Sequence, residues 1–413
     1  MESVDVLVVG AGPAGSTVAR RLAERGRSVL VVEEHPTIGE PVQCAGLVSQ
    51  RVLDLAGPGT YVRTSVRGAS VFGPSLRSIA FKAEAPRAFV IDRAGLDRHL
   101  ADRARAAGAR FRTSVAFRRR RPPEGGREVV ELRADDGGPA EVAARAVVGA
   151  DGVASSVARA YRLRRPVEFL PAFEAEFPES PGDPETVEVY LGRAIAPGLF
   201  GWWIPDGAGG ARVGVAVDAD GTPAREYFGR LLDRLAVRFG RPLAHPSGVL
   251  VSGIPIGELP AAVGDRVVLV GDAAAQVKPL SGGGIFTGMR GAELAAGALD
   301  RALATGDVSA RALAPYADAW REEFGEEFRR ALHLRRVFAR LTDRDLDAVV
   351  DALRSGRLAA TIVAFGDIDF PTHVARELLR ESPSLVRLLP KALGAWFGGG
   401  DYRAPALDFD SRR

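Results

Sequence analysis

The sequence predicts an α/β protein: a Rossmann-like nucleotide-binding domain, an antiparallel β-rich domain inserted into it, and a helical C-terminal region. Two glycine-rich loops predict the first part, each set between a buried strand and a helix, one near residue 10 and one near residue 280. The strand-rich stretch between them predicts the insertion.

The elements follow in order. Residues 4–9, "VDVLVV", form an almost continuous apolar run, as expected of a strand covered on both faces. "GAGPAGSTVARRLAERG" turns on glycines, shows helical spacing at Ala14, Val18 and Leu22, and ends at Gly26. "SVLVVEE" is a second buried strand, which completes a βαβ unit. From about 50 to 90 the chain reads as irregular, with Gly and Pro punctuation and short alternating stretches such as "ASVFG". Asp92 to Ala109 is an amphipathic helix with Leu96 and Leu100 on one side. "REVVELRA" and "EVAARAVVGADG" read as a hairpin that ends in a tight turn at Gly149 to Gly152. Residues 165–255 are β-rich, through "TVEVYLG", "GLFGWWIP" and "ARVGVAV". "DRVVLVGDAAA" is again a strand entering a Gly-rich loop, a long helix follows, and beyond 310 the chain is mostly helical. This assigns 1–60, 90–160 and 262–305 to a discontinuous nucleotide-binding domain, 61–89 and 161–261 to the β-rich substrate domain, and 306–413 to the helical C-terminal region.

Composition narrows the function. With 413 residues the chain exceeds one small core. A hydrophobic fraction of 46% and a charged fraction of 26% are those of an ordinary globular protein. No apolar run approaches the ~20 residues of a spanning helix, and no leader pattern precedes the first strand. A formal charge of only +3 argues against a nucleic-acid partner. The basic run Phe117 to Arg121 reads as a solvated strand end, with anionic headgroup contact as the lesser alternative. A single cysteine excludes an internal disulfide and agrees with a reducing, cytoplasmic setting. His35, His99, His245, His333 and His373 are scattered without metal-ligand spacing, so no metal site is expected.

Gly10, Gly12 and Gly15 make G-x-G-x-x-G between a strand and a helix. Gly10 permits the tight turn, Gly12 lets a diphosphate approach the backbone, and Gly15 lets helix and strand pack closely. The helix end, with Pro13 and Ala14, offers free N–H groups to phosphate. Glu33 ends the next strand, where a carboxylate binds both ribose hydroxyls and disfavours a 2′-phosphate, leaving FAD or NAD.

The second cluster, "VGDAAAQVKPLSGGGIFTGM", separates these two. With Gly271 and Asp272 at a strand end and Gly282 to Gly284 before a helix, it resembles FAD-dependent oxidoreductases of the para-hydroxybenzoate hydroxylase-like fold. The resemblance implies a Rossmann-like FAD-binding domain in which Asp272 binds the ribityl hydroxyl. Pro279, Gly283, Gly284 and Ile285 would lie beside the flavin, with the helix end near its pyrimidine carbonyl. "GADGVASSVAR" matches the Asp-Gly motif of that family, which places Asp151 near the phosphates. Arg93 matches a phosphate contact, and Val115 joins the same FAD set.

"GEPVQCAGLVS", "IDRAGLDRHLA" and the second glycine loop together resemble the geranylgeranyl reductase family, which includes archaeal digeranylgeranylglycerophospholipid reductases. The resemblance implies that Cys44, Ala45 and Gly46 line the isoalloxazine, although a lone cysteine is ordinarily a small apolar filler. It also implies that Phe200, Trp202, Trp203 and Ile204 line an isoprenoid cavity, with at least one tryptophan kept for the sheet core. Where the family tends to show Tyr-x-Trp-x-Phe-Pro, this chain has Phe200, Trp202, Ile204 and Pro205, which also resembles a stretch of flavin-dependent halogenases. Those enzymes need a catalytic lysine; Lys82 and Lys278 lack the matching motif.

The expected function is therefore an FAD-dependent reductase that saturates C=C bonds of a polyprenyl lipid by hydride transfer, with Cys44 or water supplying the proton. The alternative is a flavin-dependent monooxygenase or halogenase acting on an aromatic substrate. The electron donor, NADPH, NADH or ferredoxin, is left open. Residues 373–398 pair Leu, Val and Trp with Arg and Lys, a pattern for peripheral contact with the inner face of the cell membrane. Packing on the FAD domain is the other reading of that stretch.

Overall fold

The computed structural model of the protein describes residues 1–134, 139–163, 168–257, 262–354 and 356–381. The chain divides into two compact units.

The first unit comprises Met1–Arg63, Ile91–Pro166 and Pro255–Arg329. Its sheet carries five parallel strands in the order Val267–Leu269, Pro139–Gly149, Glu2–Val9, Val29–Val32, Arg110–Arg112. Alternating side chains of the central strands feed two cores. Val6, Val8, Val29 and Val31 pack with Val18, Leu22, Ala295 and Leu299 from the helices Pro13–Ala23 and Ile285–Thr305. Leu7, Val9, Leu30 and Val32 pack on the other face with Val130, Leu132 and Val147. That double burial is why these strands read as apolar runs instead of alternating patterns.

Strand Arg127–Ala134 runs antiparallel to Pro139–Gly149, as the hairpin reading requires. A further strand, Val115–Glu124, extends the hairpin and holds the basic run. Its arginines are paired. Arg118 and Arg119 pair with Glu131, Arg120 with Glu128 and Arg121 with Glu141. Arg118, Arg119 and Arg120 are exposed, so the run is solvated as expected, and its pairs form a cross-strand charge ladder.

The second unit comprises Thr64–Val90, Val167–Ile254 and Arg330–Arg413. Its seven-stranded sheet has the order Gly248–Ile256, Glu168–Phe177, Ala211–Ala216, Phe200–Pro205, Thr186–Tyr190, Gly68–Phe72, Ser78–Lys82. The stretch from 50 to 90 is thus more regular than its punctuation suggests. Strand Gly68–Phe72 pairs in parallel with Thr186–Tyr190, a long-range partner that local sequence does not reveal. Helix Ala224–Phe239 covers one sheet face, placing Tyr227, Phe228, Leu231 and Leu235 against Phe177, Trp203, Val213 and Val215.

The described chain after 306 is helical, as expected, with helices Ala310–Phe338, Asp343–Leu353, Gly356–Phe365 and Pro371–Glu381. Helix Ala310–Phe338 begins within the first unit, and the chain from Arg330 onward belongs to the second. Of the amphipathic stretch 373–398, helix Pro371–Glu381 carries the start, and the remainder lies outside the described residues. Among the described residues no helix is long and apolar enough to cross a membrane.

Candidate active site

Strand Glu2–Val9 delivers the chain into Gly10, whose φ of +100° and approach to the Ala150 carbonyl oxygen exclude a side chain. Gly15 is constrained equally, because a Cβ there would overlap the Gly10 carbonyl. Gly12 differs. A Cβ there would meet no protein atom within 4 Å. Nothing in the fold demands a glycine at that position, so its bareness leaves room for something else. Helix Pro13–Ala23 has Gly12 as its N-cap and no side-chain cap, with Pro at its start. Its first-turn N–H groups are a ready anion cradle.

Glu33 leaves the next strand and returns to this loop. Its Oε2 accepts from Ala11 N at 2.9 Å, and its Oε1 meets the His35 N–H at 3.1 Å and His35 Nδ1 at 2.6 Å. A carboxylate has about four acceptor sites, so room for a ribose hydroxyl remains. Val115 is buried beside it and donates its N–H to the Glu33 carbonyl at 2.8 Å.

The second loop arrives from strand Val267–Leu269 and meets the first. A Cβ on Gly271, whose φ is +65°, would lie 3.0 Å from the Ala14 Cβ. Two glycine motifs at opposite ends of the first unit's sequence are therefore in van der Waals contact. Gln276 secures the second loop, accepting from Gly271 N at 2.7 Å and donating to Tyr316 Oη at 2.8 Å; Tyr316 in turn donates to the Leu269 carbonyl at 2.8 Å. Pro279 is buried, and Gly283, Gly284 and Ile285 lead into helix Ile285–Thr305. Burial raises the Asp272 carboxyl above its ordinary range, with Arg93 opposing the shift. A Cβ on Gly284 would lie 3.0 Å from Asp272 Oδ1, so the acid faces the start of that helix.

Arg93 is the first residue of helix Arg93–Ala106, whose N-cap Asp92 accepts from Gly95 N at 3.0 Å. Arg93 Nη1 bonds Asp97 Oδ2 at 2.7 Å, while Arg93 Nε is buried with no partner among the described residues. The cysteine loop packs on this helix start. A Cβ on Gly39 would lie 2.8 Å from Ala94 Cα, and the Gly46 carbonyl accepts from Ile91 N at 2.8 Å. Cys44 is half-buried, as is Ala45; Cys44 Sγ accepts from Gly46 N at 3.3 Å and lies within the electrostatic reach of Arg93. Asp151 accepts from Ser155 Oγ at 2.7 Å, Ser156 N at 2.7 Å and Val157 N at 3.0 Å. It braces its own turn, and that turn is the one Gly10 abuts.

An open Gly12, an uncapped helix, an unpaired buried Arg93 Nε and acids at both ends fit an extended dinucleotide with a diphosphate at its centre. The FAD binding domain family matches residues 3–175. A digeranylgeranylglycerophospholipid reductase of Methanothermobacter thermautotrophicus is 35% identical, over 93% of this chain and 98% of that protein.

The chain belongs to the digeranylgeranylglycerophospholipid reductase family.

It is an FAD-dependent oxidoreductase. A family member of Methanocaldococcus jannaschii is 30% identical over 93% of this chain and 96% of its own length. Among solved structures, a geranylgeranyl bacteriochlorophyll reductase-like protein of Thermoplasma acidophilum has a TM-score of 0.83 at 26% identity, covering 95% of this chain and all of that one. A flavin-dependent halogenase has a TM-score of 0.69 at 22% identity, covering 96% of this chain and 77% of that one, which shows a shared fold.

For this family member, the aromatic strip of the second unit separates by strand parity. Trp203 is wholly buried under helix Ala224–Phe239 and donates to Ser180 Oγ at 3.2 Å. It is the core tryptophan, so it does not share a face with the cavity residues proposed from sequence. Phe200, Trp202 and Ile204 share the opposite face, where Phe200 and Trp202 are half-buried with ring centroids 6.4 Å apart. Trp202 lies over Gly214, where a Cβ would collide with its indole, and donates from Nε1 to Glu174 Oε2 at 2.8 Å. Burial pushes the Glu174 carboxyl up to about 7, against the pull of Trp202 and Arg212. Lys82 is exposed and pairs with Asp183 at 2.9 Å and Glu185 at 3.0 Å.

Sequence reasoning missed Asp97, Gln276, Tyr316 and Glu174. Only Asp97 left a signal, four residues after Arg93 on one helix.

Proposed function

We propose that the protein saturates carbon–carbon double bonds of a polyprenyl lipid. The observation that carries the reading is the family match over nearly the whole of both chains. When bound and reduced, FAD supplies the hydride. This chain's residues then do the rest. The Gly12 loop and the N-terminus of helix Pro13–Ala23 receive the diphosphate together with Arg93. Glu33 accepts from the adenosine ribose, and Asp272 accepts from the ribityl chain. The N-terminus of helix Ile285–Thr305 stabilises negative charge at the flavin ring. Phe200, Trp202 and Ile204 present an apolar wall that orients a hydrocarbon chain, which needs no charged partner. Cys44 holds a proton at Sγ for delivery to the second alkene carbon. An isolated alkene has no carbonyl to polarise, so one proton donor suffices beside the hydride source. The protein meets its lipid at the inner membrane surface by peripheral contact.

Incubating dithionite-reduced protein with digeranylgeranylglycerophospholipid and analysing the lipid by mass spectrometry tests this. A gain of one H2 per double bond is expected. Unchanged lipid alongside an oxygenated or halogenated aromatic substrate would replace the reading with the monooxygenase alternative.

A further inference from the structure

We infer that Asp97 is the positioning residue for Arg93: it grips one edge of the guanidinium so that the other edge meets the FAD diphosphate. The inference rests on the reading of Arg93 as a diphosphate ligand.

The position of Arg93 is costly for the fold. A helix N-terminus carries the positive end of the dipole, and a cation there is unfavourable. The helix already has its cap, because the Asp92 carboxylate is engaged by Gly95 N at 3.0 Å. Arg93 therefore contributes nothing to starting the helix, and its side chain is only 14% exposed. A buried cation in that place is explained by an anion that shares it.

The ion pair itself is half-made. Arg93 Nη1 and Asp97 Oδ2 are 2.7 Å apart, yet Arg93 Nε and Asp97 Oδ1 are both buried without a partner among the described residues. A pair serving only stability would close both edges in a fork. Here the carboxylate takes one corner of the guanidinium and leaves Nε unused. The charged surroundings locate that open edge. Glu33 and Arg98 act on Asp97, while Asp272 and Cys44 act on Arg93. Arg93 is thus within electrostatic reach of Asp272, the acid of the second loop, and its partner Asp97 within that of Glu33, the acid bonded to the first. In an extended dinucleotide that binds ribose at one and ribityl at the other, the diphosphate is what lies between. Burial lifts the Asp97 carboxyl above its ordinary range, the adjacent guanidinium opposes that shift, and the 2.7 Å contact makes Asp97 the counter-ion of Arg93.

The test measures FAD dissociation constants of deflavinated protein for wild type, Asp97→Asn, Arg93→Met and the double variant. Circular dichroism verifies that each is folded. Asp97→Asn should weaken FAD by roughly ten- to a hundred-fold, the loss of an oriented charged hydrogen bond. In the Arg93→Met background the same change should alter affinity less than about threefold, because its only route is gone. Asp97→Glu, which keeps the charge on a longer stem, should recover part of the affinity and stands in if Asp97→Asn does not fold. Equal weakening by Asp97→Asn in both backgrounds, or no weakening in either, overturns the inference. Wild-type affinity in Arg93→Met overturns instead the reading of Arg93 on which it rests.

Discussion

Gly12 and Gly15 lie in one motif but answer to different constraints, and the difference is measurable. Gly15→Ala drives a methyl into the Gly10 carbonyl, so it should lower the stability of the apoprotein by about 1–3 kcal/mol as well as FAD affinity. Gly12→Ala adds a methyl that meets no protein atom. Its apoprotein should unfold within about 0.5 kcal/mol of wild type, while FAD binding falls at least about tenfold. Thermal unfolding and FAD titration of the same samples decide it, and unimpaired FAD binding in Gly12→Ala would move the diphosphate elsewhere. Cys44→Ala should leave FAD binding intact and lower lipid reduction by about a hundredfold or more if Sγ is the proton source. An unchanged rate would return Cys44 to the role of filler. Glu174 carries a pH prediction. Its folded carboxyl at about 7 exceeds the ordinary 4.5, so the folded state holds the extra proton between those values. Stability should therefore fall as pH rises from 4.5 to 7, by up to roughly 3 kcal/mol from this group. Unfolding curves of Glu174→Gln should show a correspondingly flatter slope across that window, and an unaltered slope would refute the shift.

At the scale of elements, the strands that were legible are those whose neighbours are close in sequence or whose two faces are both buried. Val6 and Leu7 enter different cores, which produces the apolar run and makes strand Glu2–Val9 readable. The pairing of strand Gly68–Phe72 was not readable, because its partner Thr186–Tyr190 comes from far along the chain and its own burial is partial. Parity settled the tryptophans only once helix Ala224–Phe239 was in place, since adjacent Trp202 and Trp203 give no local cue to which face is inward. The hairpin gives this scale its own prediction. Because Arg118, Arg119, Arg120 and Arg121 pair with three glutamates, Glu131 being shared by the first two, most of their charge is compensated across the hairpin. Replacing Arg118 and Arg119 with Gln should leave sedimentation with anionic vesicles unchanged. A clear loss of sedimentation would restore the headgroup reading of the run.

Across the whole molecule, the cofactor site was more legible than the chemistry it serves. The two glycine motifs are visible in the sequence because backbone crowding restricts those positions, as at Gly10 and Gly15. The structure adds that they meet, with Gly271 against Ala14, and that Gln276 and Tyr316 lock the second loop. Those locks were hidden because a loop Gln and a helical Tyr resemble any other polar and core residues until the fold joins them. The division of helix Ala310–Phe338 between the two units was hidden for a related reason: its periodicity reports a buried face but not what covers it. The central claim is that FAD held between these loops passes its electrons to a polyprenyl double bond. The most direct measurement is an anaerobic single turnover, mixing reduced holoprotein with digeranylgeranylglycerophospholipid and following the return of oxidised flavin absorbance beside the lipid mass. The account predicts reoxidation matched by one saturated bond per flavin. Flavin that stays reduced with the lipid, yet reoxidises in oxygen while modifying an aromatic substrate, would contradict it.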